Sequence, residues 1–310
     1  MRIAYLHQYF RTPDMSGGTR SYEMARRFVA AGHEVHMITT DESPSEERGW
    51  RQWEVEGITV HSLPVTYDNS MSFARRVRAF VHFALVAGRR AGSVRPDLVL
   101  ATSTPLTIAV PAAVVKWRRR VPVVFEVRDL WPEMPIAVGA LRNPVLRWLA
   151  VRLERFAYGI SERVVALSPG MVAGVERAGV SSAEITLVPN SSDVDVFDVP
   201  ESQGQSFRAE LSWLGDAPLV VYCGTLGHVN SVEWLAELAA RVRERSAVQF
   251  LVVGRGVGLD TVRETAARLG VLDTTFHVLP PVPKRDVPAI LSAATVSCSL
   301  FAPIPEMEAN

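Results

Sequence analysis

The chain has 310 residues, with 48% hydrophobic and 21% charged side chains and 33 basic against 33 acidic residues. This composition excludes disordered, collagen-like and disulfide-rich proteins, and the length predicts two domains that each bury a core. The two cysteines, Cys223 and Cys298, lie in apolar runs that suit buried reduced thiols, so we expect a cytosolic protein. No apolar run reaches the roughly 18 residues that a membrane-spanning helix needs.

Apolar runs typical of β-strands alternate with helical patterns along the first 195 residues. Because a crossover between parallel strands needs a helix of about a dozen residues, this alternation predicts a parallel sheet covered on both faces. Helices are predicted between most of the strands, the first over 19–31 and the longest over 143–159. The predicted strands are 3–7, 34–39, 58–63, 98–102, 121–126, 163–167 and 184–188.

A polar stretch separates this run from a second alternating run. We predict a first domain over 1–195, a linker over 196–216 and a second domain over 217–310. A doubly wound domain usually has about five or six strands, whereas the second run has four and lacks a closing helix. We therefore expect this domain to be truncated. Its predicted strands are 219–223, 248–253, 275–279 and 295–300, and its predicted helices are 231–245, 259–269 and 284–293.

A glycine pair, Gly17-Gly18, precedes the first predicted helix. The loop from Gln8 to Gly18 is too long for the G-x-G-x-x-G turn, so an NAD-binding first domain is not expected. Glycines at a helix start let backbone N–H groups approach a phosphate, which makes this pair a candidate phosphate loop. An ordinary flexible loop is the alternative.

Two further glycine-bearing loops follow predicted strands of the second domain. Residues 224–228 (GTLGH) repeat the strand-to-helix arrangement of the first loop. Residues 254–258 (GRGVG) follow the next strand, and the arginine between the glycines could pair with a diphosphate, although most such clusters are turns. No cluster of His, Cys and carboxylate residues has metal-ligand spacing, so neither a metal ion nor a cofactor is expected.

The segment 125–133 (FEVRDLWPE) puts four charged residues directly after a predicted buried strand. Active-site groups of open α/β sheets gather at the carboxyl ends of their strands. A solvated turn is the alternative, but Leu130, Trp131 and Pro132 argue against full exposure. This segment is therefore a candidate active site.

Six segments resemble, in order and spacing, the pattern of family 4 retaining glycosyltransferases. They look like the branch that includes O-antigen amino-sugar transferases of the fucosamine-transferase type. The resemblance implies an α/β fold of GT-B architecture with two facing Rossmann-like domains. It also implies that the first domain mainly binds the acceptor and that the second mainly binds the nucleotide sugar. The segments are GGTRSYEMARRFVAAGHEV (17–35), FEVRDLWPE (125–133), ALSPGMVAGVERAGV (166–180), PNSSDVDVF (189–197), GTLGHVNSVEWL (224–235) and VVGRGVGLDTVRETAARLG (252–270).

The resemblance also implies roles for individual residues. Arg128 and Asp129 occupy the family's His-Asp position and are the candidate catalytic pair, although arginine cannot act as a base. Thr225 and Asn230 stand where many relatives place the arginine and lysine that hold the donor diphosphate, which leaves His228, Arg255 and backbone amides as substitutes. The candidate donor-binding residues are Gly17, Gly18, Asn190, Gly224, Thr225, Gly227, His228, Arg255, Val282, Glu306 and Glu308, the last two near the position of the family's E-x7-E motif.

Residues 71–120 carry ten basic side chains against one acid. An ordinary helix with a solvated basic face is one explanation. The family's acceptors are often lipid-linked sugars, however, and this charge suits docking on an anionic membrane surface at about 1 kcal/mol per charge. Nucleic acid is not expected as a partner, because neither a stacking platform nor a recognition motif is present. The candidate membrane or acceptor residues are Arg75, Arg78, Arg89, Trp117, Arg118 and Arg119.

The resemblance thus predicts a retaining glycosyltransferase that lies on the inner face of the plasma membrane. It would move a sugar from a nucleotide sugar, which we expect to be a UDP-sugar, to a lipid-linked saccharide acceptor in cell-surface polysaccharide synthesis. Two alternatives stay open. One is a non-catalytic binding fragment with an incomplete donor site, and the other is a GT-B nucleotide-sugar epimerase, which would not need the basic surface of residues 71–120.

Overall fold

The computed structural model describes residues 1–41, 49–64, 73–103, 105–133, 136, 139, 141–227 and 229–303, without the side chains of residues 73–81. By its internal contacts the chain divides into two compact units. Among the described residues, unit 1 consists of Met1–Phe10 and Thr19–Asn190, and unit 2 consists of Arg11–Gly18 and Ser191–Pro303. Each unit has its own sheet.

Unit 1 is built on a sheet of eight described strands. The sheet runs in the order β3-β4-β2-β1-β5-β6-β7-β8, and all neighbours are parallel except β3 and β4. The seven strands that the sequence predicts here are present, each within two residues of its expected bounds. The strands are β1 (Arg2–Leu6), β2 (Glu34–Asp41), β3 (Arg51–Val55), β4 (Ile58–Pro64), β5 (Leu98–Thr102), β6 (Val123–Val127), β7 (Arg163–Ala166) and β8 (Ile185–Leu187).

The strand β3 is an addition to the predicted sheet. It lies at the sheet edge and pairs antiparallel with β4 through the two-residue turn Glu56-Gly57, in which both residues have positive φ (46° and 76°). Two positive φ values define the hairpin turn that matches the twist of its strands, and glycine adopts this conformation at little cost. The sequence analysis missed β3 because an edge strand with alternate exposed polar residues lacks the apolar run of a buried strand.

Helices cover both faces of the unit 1 sheet. Asn143 caps one of them by accepting hydrogen bonds from the backbone N–H groups of Val145 and Leu146, and Pro144 occupies its first turn. Ser168 caps the next by accepting a hydrogen bond from the Met171 N–H. The helices are α1 (Arg20–Ala30), α2 (Phe73–Ser93), α3 (Ala109–Arg119), α4 (Pro144–Gly159) and α5 (Pro169–Arg177).

The core of unit 1 has two parts, one on each face of the sheet. Ala4 and Leu6 of β1 pack in the larger part, with α2 and α3, whereas Ile3 and Tyr5 pack in the other, with α1. Successive side chains of a strand point to opposite faces, so this division follows from the strand itself.

Unit 2 has a smaller parallel sheet in the order β11-β10-β9-β12. Its strands are β9 (Leu219–Thr225), β10 (Gln249–Arg255), β11 (Phe276–Leu279) and β12 (Val296–Ser297). Its helices are α6 (Val194–Phe197), α7 (Glu201–Glu210), α8 (Glu233–Val242), α9 (Leu259–Arg268) and α10 (Val287–Ser292).

The stretch 196–216, expected to be a linker, contains the helix α7 packed within unit 2. Gly204 of α7 lies so close to α10 that an added Cβ would be 2.6 Å from the carbonyl carbon of Ser292. Arg208 donates hydrogen bonds to the carbonyl oxygens of Ala293 (2.9 Å) and Ala217 (2.6 Å). These contacts to backbone act together with apolar packing, because Leu214 is buried in the core of unit 2 and Phe207 and Leu211 pack against it.

In the described part of the chain, no helix has the length and apolar character that crossing a bilayer requires.

Candidate functional site

Charged and polar side chains gather at the carboxyl ends of the unit 1 strands. The centre of this group is Glu126 of β6, whose side chain is only 2% exposed. Its Oε1 accepts a hydrogen bond from Arg20 Nε at 2.9 Å, and its Oε2 accepts one from Thr102 Oγ1 at 2.9 Å. A buried carboxylate needs such partners, because burial without them is strongly unfavourable. Burial and the nearby Glu126 carboxylate also raise the pKa of the Tyr5 hydroxyl well above its usual range.

The Arg20 guanidinium connects Glu126 to the end of unit 1. Its Nη2 donates to the carbonyl oxygen of Val188 at 2.8 Å, and its Nη1 donates to the carbonyl oxygen of Pro189 at 2.9 Å and to Asn190 Oδ1 at 3.4 Å. The planar guanidinium has five N–H donors, so one side chain can hold a carboxylate and a chain segment together. The predicted donor-binding residue Asn190 is thus positioned by an arginine at the start of α1.

The predicted catalytic residue Arg128 lies beside a buried histidine. Arg128 Nη1 is 3.5 Å from His7 Nε2, and His7 Nδ1 is 2.5 Å from Ser21 Oγ. The Arg128 guanidinium can only donate in this contact. The backbone N–H of Arg128 donates to Ser103 Oγ at 3.0 Å. The adjacent Asp129 is exposed to solvent.

His7, Ser21, Arg20 and Ser103 were not candidates in the sequence analysis, which placed His7 only at the end of the predicted strand 3–7. A signal for His7 was available, because it directly follows β1 and so lies at the strand end where active-site groups gather. The sequence carried no comparable signal for the pair of Arg20 and Glu126, which are 106 residues apart.

In unit 2 the two glycine-bearing loops pack backbone against backbone. A Cβ on Gly254 would lie 1.9 Å from the carbonyl oxygen of Gly224, and one on Gly256 would lie 2.2 Å from that of Leu226. The backbone N–H of Leu226 donates to the carbonyl oxygen of Arg255 at 2.9 Å. Glycine is therefore required at 254 and 256 by the close approach of the two strand ends.

The side chains around these loops differ in their exposure. Arg255 is exposed, and its guanidinium has neither a hydrogen bond nor an ion pair within the described ranges of the chain. Thr225 is also exposed. Asn230 Oδ1 accepts a hydrogen bond from the Gly227 N–H at 3.3 Å, so Asn230 supports the loop.

The predicted phosphate loop with Gly17 and Gly18 belongs to the segment 11–18, which groups with unit 2. Gly17 has a φ of 125°, in the region that favours glycine. The carbonyl oxygen of Met15 accepts a hydrogen bond from the Lys284 N–H at 3.4 Å, and Arg285 forms an ion pair with Asp14. The segment thus lies against the turn that follows β11.

Val282 comes just before that turn. Its half-buried side chain packs on the apolar cluster around Leu219 and Ile290.

Several candidate residues lie outside the described residues, namely His228, Glu306 and Glu308. Arg75 and Arg78 belong to α2, but their side chains are not described. Arg89, Trp117, Arg118 and Arg119 are exposed, and Arg119 Nε donates to the carbonyl oxygen of Gly92 at 2.9 Å. Within the residues that the structure covers, His, Cys, Asp and Glu side chains form no group of three or more that could hold a metal ion.

The folds of known proteins match this architecture. The HepE protein of Anabaena, solved in complex with UDP and glucose, superposes with a TM-score of 0.68 at 17% identity, over 98% of this chain and 76% of HepE. At this identity the match establishes the fold, which is the α/β GT-B fold with parallel sheets.

Two curated relatives have similar sequences. WcaI of Escherichia coli (strain K12), which its name assigns to colanic acid biosynthesis as a glycosyl transferase, is 24% identical over 286 residues, or 86% of this chain and 69% of WcaI. The glycosyltransferase WbjE of Pseudomonas aeruginosa is 22% identical over 199 residues, or 64% of this chain, and the match spans 48% of WbjE. The chain therefore corresponds to only part of each relative.

A family model described as the glycosyl transferase 4-like domain matches residues 17–191, which include α1, the Glu126 strand end and Asn190. That match covers more than half of the chain, and we conclude that the chain belongs to the glycosyl transferase 4-like family.

Proposed function

We propose that this chain belongs to a retaining glycosyltransferase that moves a sugar from a UDP-sugar to a lipid-linked saccharide in cell-surface polysaccharide synthesis. Family membership supports the reaction class, the name of WcaI supports the pathway class, and the UDP and glucose bound to HepE support the donor class. The fucosamine-transferase-type O-antigen branch rests on the motif resemblance. A peripheral position on the inner face of the plasma membrane follows from a lipid-linked acceptor.

The observation that carries the donor assignment is the position of Arg255 in unit 2. Its free guanidinium lies at the end of β10, four residues before Leu259, where α9 begins. The first N–H groups of a helix lack intrahelical partners, and the positive end of the helix dipole favours an anion. A cation and a helix start that follow the same strand therefore suit a diphosphate.

In the proposed reaction the bond from the anomeric carbon to the diphosphate oxygen breaks, and the bond to the acceptor oxygen forms on the same face of the sugar. The acceptor proton goes to the departing diphosphate, so no side chain has to act as base. Arg255 and the glycine-loop amides, including Gly17, Gly18, Gly224 and Gly227, would stabilise the charge that develops on the diphosphate. Arg128 and Asp129 would orient sugar or acceptor hydroxyl groups, and Arg20 would keep Asn190 in place.

The donor assignment can be tested by isothermal titration of the chain with UDP and with GDP. We expect saturable binding of UDP that Arg255→Ala weakens about tenfold, as for the loss of a hydrogen bond to a charged group. Arg263→Ala is the matched control, because Arg263 is an exposed arginine on α9 and should leave UDP binding unchanged. If the chain binds neither nucleotide, or if both variants bind UDP like the unchanged chain, the donor site is wrongly assigned.

A further inference from the structure

The outward face of α4 carries apolar side chains that unit 1 leaves uncovered. Val145, Trp148 and Leu149 are 62%, 60% and 48% exposed. A surface helix normally turns its apolar stripe to the core and its charges to water. In α4 the arrangement is partly reversed, because the acidic Glu154 is buried on the opposite side, next to Ala157.

This apolar stripe continues from α4 to the end of α3. Phe156 borders the stripe as a half-buried ring that also packs on the core of unit 1. Positions 145, 148, 149, 152 and 156 fall within an arc of about 100° at helical spacing. The ring of Trp117 meets that of Phe156 edge-on at a centroid distance of 6.0 Å, and Trp117 is 64% exposed. The Arg152 guanidinium lies over the Trp148 ring at 5.7 Å, and Arg118 follows Trp117 at the other end. We call these side chains, Val145, Trp148, Leu149, Arg152, Phe156 and Trp117, the α4 face.

The charges on and beside the α4 face are positive. Arg152 and Arg155 are exposed, whereas Glu154, the one acid in the sequence of α4, is buried. Burial raises the pKa of the Glu154 carboxyl to about 7, so it carries little negative charge in mildly acidic solution. The next acid along the chain, Glu162, is paired with Lys116 Nζ at 2.8 Å.

We propose that the α4 face docks on an anionic lipid bilayer, with α4 lying in the plane of the membrane surface. Tryptophan suits the membrane interface because its ring is apolar and its N–H can stay in contact with water. Arginine can lay its stem along the acyl boundary while its guanidinium meets lipid phosphates. A second copy of this chain fits less well, because a self-pairing α4 face would bring arginines of like charge together.

This docking surface differs from the basic segment 71–120 of the sequence analysis, with which it shares Trp117. It rests on the proposed function in one respect, because a lipid-linked acceptor has to be reached from a membrane. Vesicle binding needs neither donor nor acceptor, so a failure of docking and a failure of sugar transfer give different results.

The test is co-sedimentation of the 310-residue chain with vesicles of phosphatidylcholine alone or mixed with phosphatidylglycerol. We expect the unchanged chain to bind the mixed vesicles. Trp148→Gln/Leu149→Gln should weaken this binding at least about tenfold, because it removes apolar area that the bilayer would bury. Arg152→Gln/Arg155→Gln should weaken binding to the mixed vesicles about fivefold for each arginine removed. It should leave the weak binding to phosphatidylcholine unchanged.

The matched control is Trp234→Gln/Leu238→Gln, which changes an exposed tryptophan and leucine on α8 (45% and 44% exposed) and should bind vesicles normally. Circular dichroism and the melting temperature of each variant show whether it folds. The proposal is overturned if Trp148→Gln/Leu149→Gln and Trp234→Gln/Leu238→Gln bind the mixed vesicles equally well, or if the unchanged chain does not bind the mixed vesicles. It is also overturned if the α4 variant changes only the sedimentation of the free chain, since the face would then join two copies.

Discussion

The two units position their strand-end residues by different physical means. In unit 1 the strand ends are held by charged side chains, with Glu126 and Arg20 paired at 2.9 Å and largely buried. In unit 2 they are held by backbone contact, because glycines at 254 and 256 let two loops approach closely while Arg255 stays exposed. One edge depends on charge and hydrogen bonding, and the other depends on the absence of side chains.

As a result, arginines at the strand ends have different roles in the two units. Arg20 is largely buried and makes four hydrogen bonds, so it is part of the structure of unit 1. Arg255 is exposed and unpaired within the described residues, so it is available to a ligand. A substitution at the ion pair of Arg20 should therefore lower the stability of unit 1. A substitution at Arg255 should weaken ligand binding and leave the stability of unit 2 nearly unchanged.

The largest effect is expected for Gly254→Ala in unit 2. The new Cβ would lie 1.9 Å from the Gly224 carbonyl oxygen, so the backbone of the two loops has to move apart. We expect a loss of about 4 kcal/mol or more in the free energy of unfolding of unit 2, measured by urea denaturation. Gly92→Ala is the control, because no atom lies within 4 Å of its added Cβ and the change should stay within about 1 kcal/mol. Equal stability of the two variants would show that close approach does not require glycine at 254.

A somewhat smaller effect is expected for Glu126→Gln in unit 1. The change leaves the Arg20 guanidinium without its carboxylate, and removing one partner of a buried ion pair costs about 3 kcal/mol. Urea denaturation measures this loss. Arg255→Gln should change the free energy of unfolding by less than about 0.5 kcal/mol, because it touches an exposed side chain. If Arg255→Gln destabilised the chain as much as Glu126→Gln, the contrast between the units would be contradicted.

The smallest of these effects concerns Glu154, the second buried carboxylate among the described residues of unit 1, which has the Tyr158 hydroxyl as its partner. Its folded pKa of about 7 lies above its ordinary value of 4.5, so the folded chain binds more protons between these pH values. The free energy of unfolding should therefore fall as pH rises through this window, by about 2 kcal/mol. Glu154→Gln should lack this fall, so its advantage over the unchanged chain should be absent below about pH 4.5, grow as pH rises, and be complete above about pH 7.

Glu162→Gln is the control for this pH dependence. A hydrogen bond from Lys116 lowers the pKa of Glu162, so its stabilisation is lost as pH falls, which is the opposite direction. Urea denaturation across the pH range measures both variants. Identical pH profiles for Glu154→Gln and the unchanged chain would show that the Glu154 carboxyl is not buried as the structure has it.

Much of the fold was predictable from local sequence. Buried parallel strands such as β1 and β6 are continuous apolar runs, and their alternation with helices is written in adjacent residues. The exposed edge strand β3 lacked that signal, although the Glu56-Gly57 turn could have indicated a hairpin. The glycine loops were singled out from the sequence as candidate phosphate loops, but their mutual packing was not foreseen, because it depends on how β9 and β10 pair.

Neighbouring residues encode the order of strands and helices, the family motifs and the segment that contains Glu126, so these features can be read without a structure. Tertiary structure alone decided that Arg20 would meet Glu126 across 106 residues and that His7 would face Ser21 and Arg128. It also decided which side of α4 faces water. The periodicity of a helix shows that it has an apolar stripe, but the packing of its neighbours determines whether that stripe is buried.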